Sequence, residues 1–274
     1  AQVDLPAIVK SNNQFALDMY GQLRRTPGNV FFSPYSVSTA LSMLYPGSRE
    51  QTLAELDRTL RFTLDSYSLG PSIKALIDEI NVLKSSAKCD VQTANALWPQ
   101  KGLGLIPAYV ASVEYVFGGR PTELDYAAQL EAARAAINDW TARNTKNKIQ
   151  SLLAPGVLSI DTKMVLTNAI YFKAAWSSPF RPEATRDEPF AAASGESRPI
   201  PMMIQDGEFL SGEDPVAQYL ELPYEEPRLA FVIALPKAVD GLAALEELLT
   251  EQYLSAALAG LSPKKPELHI PRFT

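Results

Sequence analysis

Cysteine and histidine are almost absent from this sequence, and their scarcity excludes several kinds of site. The 274 residues include one cysteine, Cys89, and one histidine, His269. A single cysteine leaves no disulfide framework within the chain. One cysteine and one histidine are also too few for a zinc site built from those ligands. A Ser-His-Asp hydrolase would depend on His269 alone, so the composition favours a binding protein or an enzyme that works with carboxylates.

Long apolar runs and an excess of positive charge are also missing. No segment approaches the roughly 18 apolar residues that cross a membrane as a helix. The chain has 25 Lys and Arg against 31 Asp and Glu, which gives a net charge of −6. This mild acidity argues against nucleic acid or an anionic membrane as the main partner. The chain starts with AQVDL, without the features of a leader, so we expect that a leader was removed or that the sequence was trimmed.

Apolar periodicity predicts an α+β fold in one domain, with most helices in the first half and most strands in the second. The predicted N-cap of the second helix is Ser33, with Pro34 in the first turn. Thr52 is the predicted N-cap of the third helix, with Glu55 completing a capping box. The predicted helices cover residues 7–25, 34–45, 52–60, 71–85, 127–143 and 240–260, and the predicted strands cover 91–98, 163–172, 200–203, 219–222, 229–235 and 267–274.

Two glycine-containing stretches imitate catalytic motifs without completing them. Residues 102–107 start like a dinucleotide-binding fingerprint, but Pro107 stands at the third glycine and no βαβ unit surrounds the stretch. Residues 195–199 approach a nucleophile elbow, yet they lie in a hairpin-like segment. We therefore interpret the first stretch as a strand-to-helix turn and the second as part of a hairpin.

The remaining reactive side chains have structural interpretations that we favour over catalytic ones. His269 lies among apolar neighbours in the last strand, so a structural role is predicted rather than that of a base. Cys89 is predicted to be an ordinary unpaired cysteine. The basic residues within 143–148 are predicted to be a solvated helix end rather than an anion site. The acidic pairs at 187–188 and 225–226 lie in polar turns, where the burial that a catalytic carboxylate pair needs is not expected.

Polar side chains inside apolar segments are the most unusual feature of the sequence. The helix after Ser33 is apolar or small on all faces, which predicts burial, yet it contains Ser36, Ser38 and Ser42. Asn168 lies in the middle of the apolar strand KMVLTNAIYF, which is expected to be covered on both faces. A buried asparagine is costly unless its amide is paired, and hydroxyls of an adjacent helix are the expected partners. The contact is either purely structural or a latch that exchanges partners when a sheet opens.

These same segments resemble the serpin family of serine protease inhibitors. Residues 29–36, NVFFSPYS, resemble the family motif N-x-[FL]-[FI]-S-P-x-S, and residues 166–176, LTNAIYFKAAW, resemble L-x-N-A-I-Y-F-K-G-x-W. Ala174 departs from this pattern, since the family usually has glycine there. Further matching segments follow in the family's order across the chain: glycine and threonine at 47 and 52, INDW at 137–140, TKNKI at 145–149, PMM at 201–203, ELPY at 221–224 and IPRF at 270–273.

The resemblance implies a serpin fold of three β-sheets with eight or nine helices, built around a large central sheet A. Inhibitory serpins expose a reactive loop that the target protease cleaves. The loop then inserts into sheet A as an added strand while the protease is still acyl-linked. By resemblance, Ser33, Pro34, Ser36 and Asn168 belong to the shutter, over which the sheet parts, and Trp176 belongs to the breach, where insertion begins. The resemblance implies no catalytic residue, metal or cofactor.

The family pattern also predicts that these residues are not a whole serpin. In the family, the segment that matches 270–273 is followed by a helix, a central strand, the hinge, the reactive loop and the last strands. The reactive bond is therefore expected outside residues 1–274. The missing central strand is expected between the strands at 163–176 and 267–274, whose bare edges would favour aggregation. We expect a single serpin domain, truncated before the hinge and completed by a C-terminal serpin fragment.

The predicted function is the scaffold of a suicide inhibitor of serine, or cysteine, proteases. A non-inhibitory serpin acting as a carrier or chaperone is the first alternative, and a hydrolase built on His269 is the alternative from another class. A heparin-type site is not expected, because Lys74 and Lys84 share their helix with Asp78 and Glu79. An extracellular location is expected from the habit of the family, with the cytoplasm as the alternative.

Overall fold

Two compact units make up the chain, Ala1–Lys173 and Ala174–Thr274. The structure, a computed structural model, describes residues 2–191 and 196–272. Helices dominate the first unit and strands the second, as the sequence predicts for an α+β fold. Within those ranges, no helix combines the length and the apolar character that crossing a bilayer requires.

The described part of the first unit consists of six α-helices and two strands. The elements are α1 (Leu5–Leu23), α2 (Pro34–Ser42), α3 (Glu50–Leu60), α4 (Ser66–Leu83), β1 (Cys89–Pro99), α5 (Pro107–Phe117), α6 (Leu130–Asn144) and β2 (Met164–Ala174). The two strands pair as one sheet. The end of β1 meets the beginning of β2, where the Gln100 N–H donates to the Lys163 carbonyl at 2.8 Å.

Local side-chain bonds decide where the first helices begin. Ser33 is confirmed as the N-cap of α2, since its Oγ accepts a backbone N–H from the first turn at 3.2 Å. The predicted cap at Thr52 is wrong, because α3 already begins at Glu50 and Thr52 lies inside its first turn. Glu55 does not close a capping box there. Its carboxylate accepts a hydrogen bond from the Gln51 side chain at 2.9 Å.

Two apolar clusters form the core of the first unit and cover the two faces of the first half of β2, whereas Ile170 and Phe172 in its second half are exposed. The first packs α1, α4 and α5 together around residues such as Leu69, which is 1% exposed, and Leu166 of β2 lies against it. The second packs α6 onto the sheet through Ile137 and Trp98, with Val165 of β2 beside them. Adjacent residues of β2 thus point into different clusters, as the alternation of a strand requires.

The described part of the second unit consists of seven strands and two α-helices. One antiparallel sheet has the order β3-β4-β9, and another has the order β7-β6-β5-β8. The helix predicted over 240–260 is two helices, because Thr250 starts a new one by capping the Tyr253 N–H at 3.1 Å. The elements are β3 (Arg186–Ala191), β4 (Ser197–Asp206), β5 (Phe209–Glu213), β6 (Ala217–Pro223), β7 (Ala230–Pro236), α7 (Leu242–Leu248), α8 (Glu251–Ala259), β8 (Ser262–Lys264) and β9 (Glu267–Pro271).

Strand β9 is the last strand of the described residues. It is an edge strand of the three-stranded sheet, and the prediction that 267–274 flanks a missing central strand stays a prediction. Strand β9 pairs antiparallel with β4, so that Ile270 lies opposite Met203. The apolar residues that alternate along β9 pack with Phe209 in the core of the second unit, which fixes this register. Residues 273–274 lie outside the described residues.

A carboxylate network joins the turn between β5 and β6 to α8. Asp214 accepts hydrogen bonds from the N–H groups of Val216 and Ala217 at 2.8 Å each. It also accepts the hydroxyl groups of Tyr219 at 2.9 Å and Tyr253 at 2.6 Å. The bond from Tyr253, assisted by the backbone donors, lowers the pKa of Asp214 to about 2, because these donors favour the charged carboxylate. Burial raises the pKa of Tyr219 above its ordinary value.

Candidate functional site

The start of α2 contains three of the predicted site residues, Ser33, Pro34 and Ser36. Ser33 Oγ accepts the Ser36 N–H, and Pro34 occupies the first helical position, where its missing N–H costs no hydrogen bond. Tyr35 between them is largely removed from solvent, and burial raises the pKa of its phenol to about 12. This end of the helix is therefore fixed by its own side chains.

The serines of α2 differ in how their hydroxyl groups are satisfied. Ser38 Oγ donates to Asn12 Oδ1 of α1 at 2.7 Å, and Ser42 Oγ donates to the Ser38 carbonyl at 2.6 Å. Ser36 Oγ is shielded from solvent and forms no hydrogen bond with any residue that the structure describes. Ser36 thus presents a buried hydroxyl whose bonding capacity is unused.

Asn168 lies on β2, two residues after Leu166 and three residues after Val165. Its Nδ2 donates to Asn95 Oδ1 of β1. Its own Oδ1 is shielded from solvent and accepts no hydrogen bond within residues 2–191 and 196–272. The predicted partner, a hydroxyl group of an adjacent helix, is wrong, because the side-chain oxygen of Asn95 on the neighbouring strand accepts the bond.

Sequence reasoning missed the contacts across the β1–β2 pair that surround Asn168. Besides Asn95, these include the buried Trp98, whose Nε1–H donates to Thr167 Oγ1 at 2.8 Å. Trp140 of α6 meets the Trp98 ring edge-on, with centroids 5.7 Å apart and planes at 86°. A polar residue in the middle of an apolar strand, as Asn95 is in VQTANALW, is the signal that could have found the first contact.

Trp176, the predicted breach residue, lies in an aromatic cluster of the second unit. Its ring stacks on Tyr224 with centroids 4.5 Å apart and planes at 9°. Phe180 and Phe231 meet it edge-on at 6.4 and 5.9 Å. The backbone on each side of Trp176 also pairs with the backbone beside Tyr224, through N···O contacts of 2.9 Å. Trp176 is therefore anchored to the turn between β6 and β7.

The structure also shows the surroundings of the other candidates from the sequence. Cys89 is buried, and its Sγ lies 3.6 Å from the Leu83 carbonyl. The Nδ1 atom of His269 lies 2.6 Å from Glu188 Oε2, and this hydrogen bond raises the pKa of the imidazole. Glu226 is buried, at 5% exposure, so the expectation of no burial is wrong for Glu226, whereas Glu225 is exposed as expected. The Glu226 carboxylate accepts the Arg228 Nε–H at 2.7 Å, which offsets the cost of burying the charge.

The two near-miss motifs do not form sites in the described residues. Pro107 begins α5, which confirms the strand-to-helix turn at 102–107. Gly195 of the elbow-like stretch lies outside the described residues. Where the structure describes the chain, no group of three or more His, Cys, Asp or Glu side chains is arranged to hold a metal ion.

Comparisons with known proteins agree on one family. A family model described as "Serpin (serine protease inhibitor)" matches residues 10–274. The chain is 36% identical to the leukocyte elastase inhibitor of Sus scrofa over 96% of this chain and 71% of that protein. It is 35% identical to antithrombin-III of Mus musculus over 96% of this chain and 58% of that protein. Emu (Dromaius novaehollandiae) ovalbumin superposes with a TM-score of 0.92 and 28% identity, covering 97% of this chain and 73% of that one. The chain belongs to the serpin family.

Proposed function

We propose that this chain is the scaffold of a serpin that traps serine, or cysteine, proteases by inserting its cleaved loop into a β-sheet. Two relatives that match 96% of the chain carry the names leukocyte elastase inhibitor and antithrombin-III. The motifs at 29–36 and 166–176 support the serpin scaffold by their resemblance to the family. The chain acts in this proposal as a suicide substrate of a protease and not as an enzyme.

The observation that carries the proposal is the unsatisfied amide oxygen of Asn168, on a strand with one paired neighbour. In the part of the chain that the structure describes, β2 pairs with β1 alone. The other edge of β2 therefore offers its N–H and C=O groups to a strand from outside residues 1–274, either the central strand expected from the C-terminal segment or the inserted loop. The Asn168 Oδ1 atom is shielded and unbonded, at a cost of about 1–3 kcal/mol. A strand added beside β2 that brought a donor to this oxygen would recover that free energy.

Each predicted site residue has a role in this mechanism. Ser33 and Pro34 fix the start of α2, and the buried Ser36 hydroxyl is free to bond an arriving polar group. Asn168 is the latch, which exchanges partners as the new strand enters. Trp176 marks the end of the sheet where insertion begins. All five residues act through binding and positioning, so no metal or cofactor takes part in the proposal.

We infer that both compact units belong to one serpin domain, because the family match runs from residue 10 through residue 274. The chain spans 71% and 58% of the two curated relatives described above. We propose that the reactive loop and a C-terminal serpin segment correspond to the part of those relatives outside the match. The intact mass of the natural protein under denaturing, reducing conditions tests this. A longer chain, or a second polypeptide of several kilodaltons, supports it, and a single species of 30.0 kDa contradicts it.

We also propose that the protein acts outside the cell, as family habit suggests. Separate assays of the natural source's medium and cell extract, with an antibody against the chain, test this location. Protein in the cell extract alone contradicts it.

A non-inhibitory serpin is the second candidate, and the likeness to emu ovalbumin, at a TM-score of 0.92, favours it. Such a protein would use the same scaffold as a carrier or chaperone, with a loop that does not insert. The two candidates differ in what happens after the loop is cut. Insertion yields a trapped protease and a cleaved form that resists unfolding, whereas a non-inhibitory loop is simply hydrolysed.

The deciding experiment mixes the full natural protein with trypsin, chymotrypsin, pancreatic elastase and papain, one at a time. Inhibition predicts a complex that survives boiling in SDS and has the summed mass of protease and serpin fragment. It also predicts that the cleaved protein melts well above the intact protein. Each protease inactivated beforehand at its nucleophile is the control, because it cannot form the acyl bond. Cleavage by any of the four without a complex and without a rise in Tm supports the non-inhibitory candidate.

The latch role of Asn168 has its own test. The variant Asn168→Ala removes both the shielded oxygen and the bond to Asn95. We expect the intact protein to lose its inhibitory form faster on warming, because the sheet loses a constraint on opening. The matched control is Asn13→Ala, at an exposed position of α1. Equal rates of loss in the wild type, Asn168→Ala and Asn13→Ala would remove Asn168 from the mechanism.

A further inference from the structure

A lysine in the turn after α6 contacts both strands of the β1–β2 pair. The ammonium group of Lys146 forms an ion pair with Asp90, the second residue of β1. The same Nζ atom lies 5.4 Å from the centroid of the Tyr171 ring on β2. Lys146 belongs to the basic group that the sequence predicts as a solvated helix end. In the structure Lys146 is exposed, as predicted, and it also links three elements.

The backbone holds Lys146 in this position. Lys146 and Asn147 both have left-handed φ angles, 50° and 62°, which residues other than glycine seldom adopt. The turn is kept by the Asn147 N–H, which donates to the Ala142 carbonyl at 2.8 Å. It is also kept by Thr145, 1% exposed, whose Oγ donates to the Thr141 carbonyl at 2.9 Å. The direction of the Lys146 side chain is therefore set by a well-bonded turn.

The contact complements a second attachment of α6 to the same face of the sheet. Asp90 and Trp98 are eight residues apart on β1, and strand alternation puts both on the face that α6 covers. Tyr171 lies on the corresponding face of β2. Trp140 attaches α6 through the buried Trp98 ring, and Lys146 attaches the end of the helix through a partly exposed ion pair. The Lys146 contact is thus the attachment that bulk solvent and salt can reach.

We propose that Lys146 is a positioning residue that ties the end of α6 to β1 and β2 and so slows the insertion of a strand beside β2. This inference rests on the function proposed above. Adding a strand changes the twist of the strands already present, because twist accumulates between neighbours. Tyr171 then moves relative to the turn after α6, and the contacts of Lys146 must stretch or break before insertion is complete. The contact acts as a brake on the rate and leaves the inserted product unchanged.

The experiment measures the first-order rate of formation of the SDS-stable complex at saturating protease. It uses the full natural protein and whichever of the four proteases above forms the complex fastest. Lys146→Gln loses an exposed ion pair and a cation–π contact. We therefore expect it to form the complex about fivefold to tenfold faster than the wild type. Lys146→Arg keeps the charge and the ring contact and is expected within about twofold of the wild type. Lys148→Gln, an exposed lysine two residues along the same turn, is the matched control.

Salt and a double mutant separate a brake from a general loss of packing. We expect the wild-type rate to rise toward that of Lys146→Gln between about 0.05 and 1 M NaCl, while the variant's rate stays flat. Asp90→Asn added to Lys146→Gln should change the rate little further, because the two residues share one contact.

The two proposals fail in different ways. If the wild type inserts its loop and Lys146→Gln, Lys148→Gln and wild type have equal rates, the brake is overturned and the inhibitory function stands. If the wild type forms no complex and its cleaved form does not gain stability, the proposed function fails and the brake falls with it.

Discussion

The bond between Tyr253 and Asp214 allows a quantitative test of the energetics of the second unit. Tyr253→Phe removes one hydroxyl from a carboxylate that also accepts Tyr219 and two backbone N–H groups. A hydrogen bond to a charged group contributes about 1.5–3 kcal/mol, and the partial exposure of Asp214 favours the lower end. A loss of about 1.5 kcal/mol in a protein of this size lowers the Tm by roughly 3–6 °C.

The pH dependence of Asp214→Asn tests the same network through its charge. The folded state lowers the pKa of Asp214 from 3.8 to about 2. The carboxylate therefore adds stability above the unfolded pKa, and that contribution is lost as the pH falls from about 4 through 2. The full shift corresponds to about 2.5 kcal/mol, which solvent screening reduces to about 1–1.5 kcal/mol. The difference in unfolding free energy between wild type and variant should be constant above about pH 5, fall steeply between about pH 4 and 2, and approach zero toward about pH 1.

Urea unfolding followed by circular dichroism, at intervals of pH, measures both effects. Asp240→Asn, an exposed acid of the same unit, is the matched control and should leave the midpoint unchanged. A wild-type midpoint for Tyr253→Phe, or a difference for Asp214→Asn that does not shrink in acid, would refute the reasoning. The first result would mean that the phenol is replaced by water without loss. The second would mean that the variant acts through packing and not through charge.

Three further predictions concern other sites. His269 is the sole histidine, so its NMR titration is unambiguous. The titration midpoint of the wild type should lie above 6.5, and that of Glu188→Gln should fall toward 6.5. An unshifted midpoint in the wild type would contradict the contact with Glu188. Because this pKa is raised, the pair's stabilisation is present below 6.5 and is lost as the pH rises through the folded value. Leu69→Ala should lower the free energy of unfolding in urea by about 3 kcal/mol. A loss of less than about 1 kcal/mol would mean that the core collapses to fill the space. Gly47→Ala places a Cβ 3.2 Å from the Tyr109 ring and should lower the free energy of unfolding by about 1 kcal/mol. An unchanged Tm would disprove this prediction.

Elements with an unbroken apolar pattern can be predicted well from this sequence. The helix predicted over 127–143 is α6, Leu130–Asn144, and the strand predicted over 163–172 is β2, Met164–Ala174. The errors fall where a local signal misleads. Pro71 suggests a helix start, yet α4 begins at Ser66, because Asp65 caps the backbone N–H groups of the next turn at 2.9 Å. The helix can then accommodate the proline within its second turn.

The sequence marks candidate site residues, but it does not predict their bonds. The polar character of Asn168 within an apolar strand marks it as unusual without any structure. Its partner Asn95 is 73 positions away, and Asp90 is 56 positions from Lys146. Such pairs depend on strand register and on where a turn directs a helix end, and neither is encoded in local periodicity. The position of β9 has the same cause, because alternation identifies a strand but not its neighbour.

The three tryptophans are distributed so that each compact unit carries its own optical label. Trp98 and Trp140 form a perpendicular pair in the first unit, close enough for their strong transitions to couple, and should give a dichroism couplet in the far ultraviolet. Trp176 is separate, in the second unit, and its stacking on Tyr224 makes it an acceptor for energy from that phenol. Replacing Trp176 by phenylalanine removes the tryptophan signal of the second unit, and replacing the other two removes that of the first. Unfolding of each half can thus be followed in an otherwise unlabelled protein.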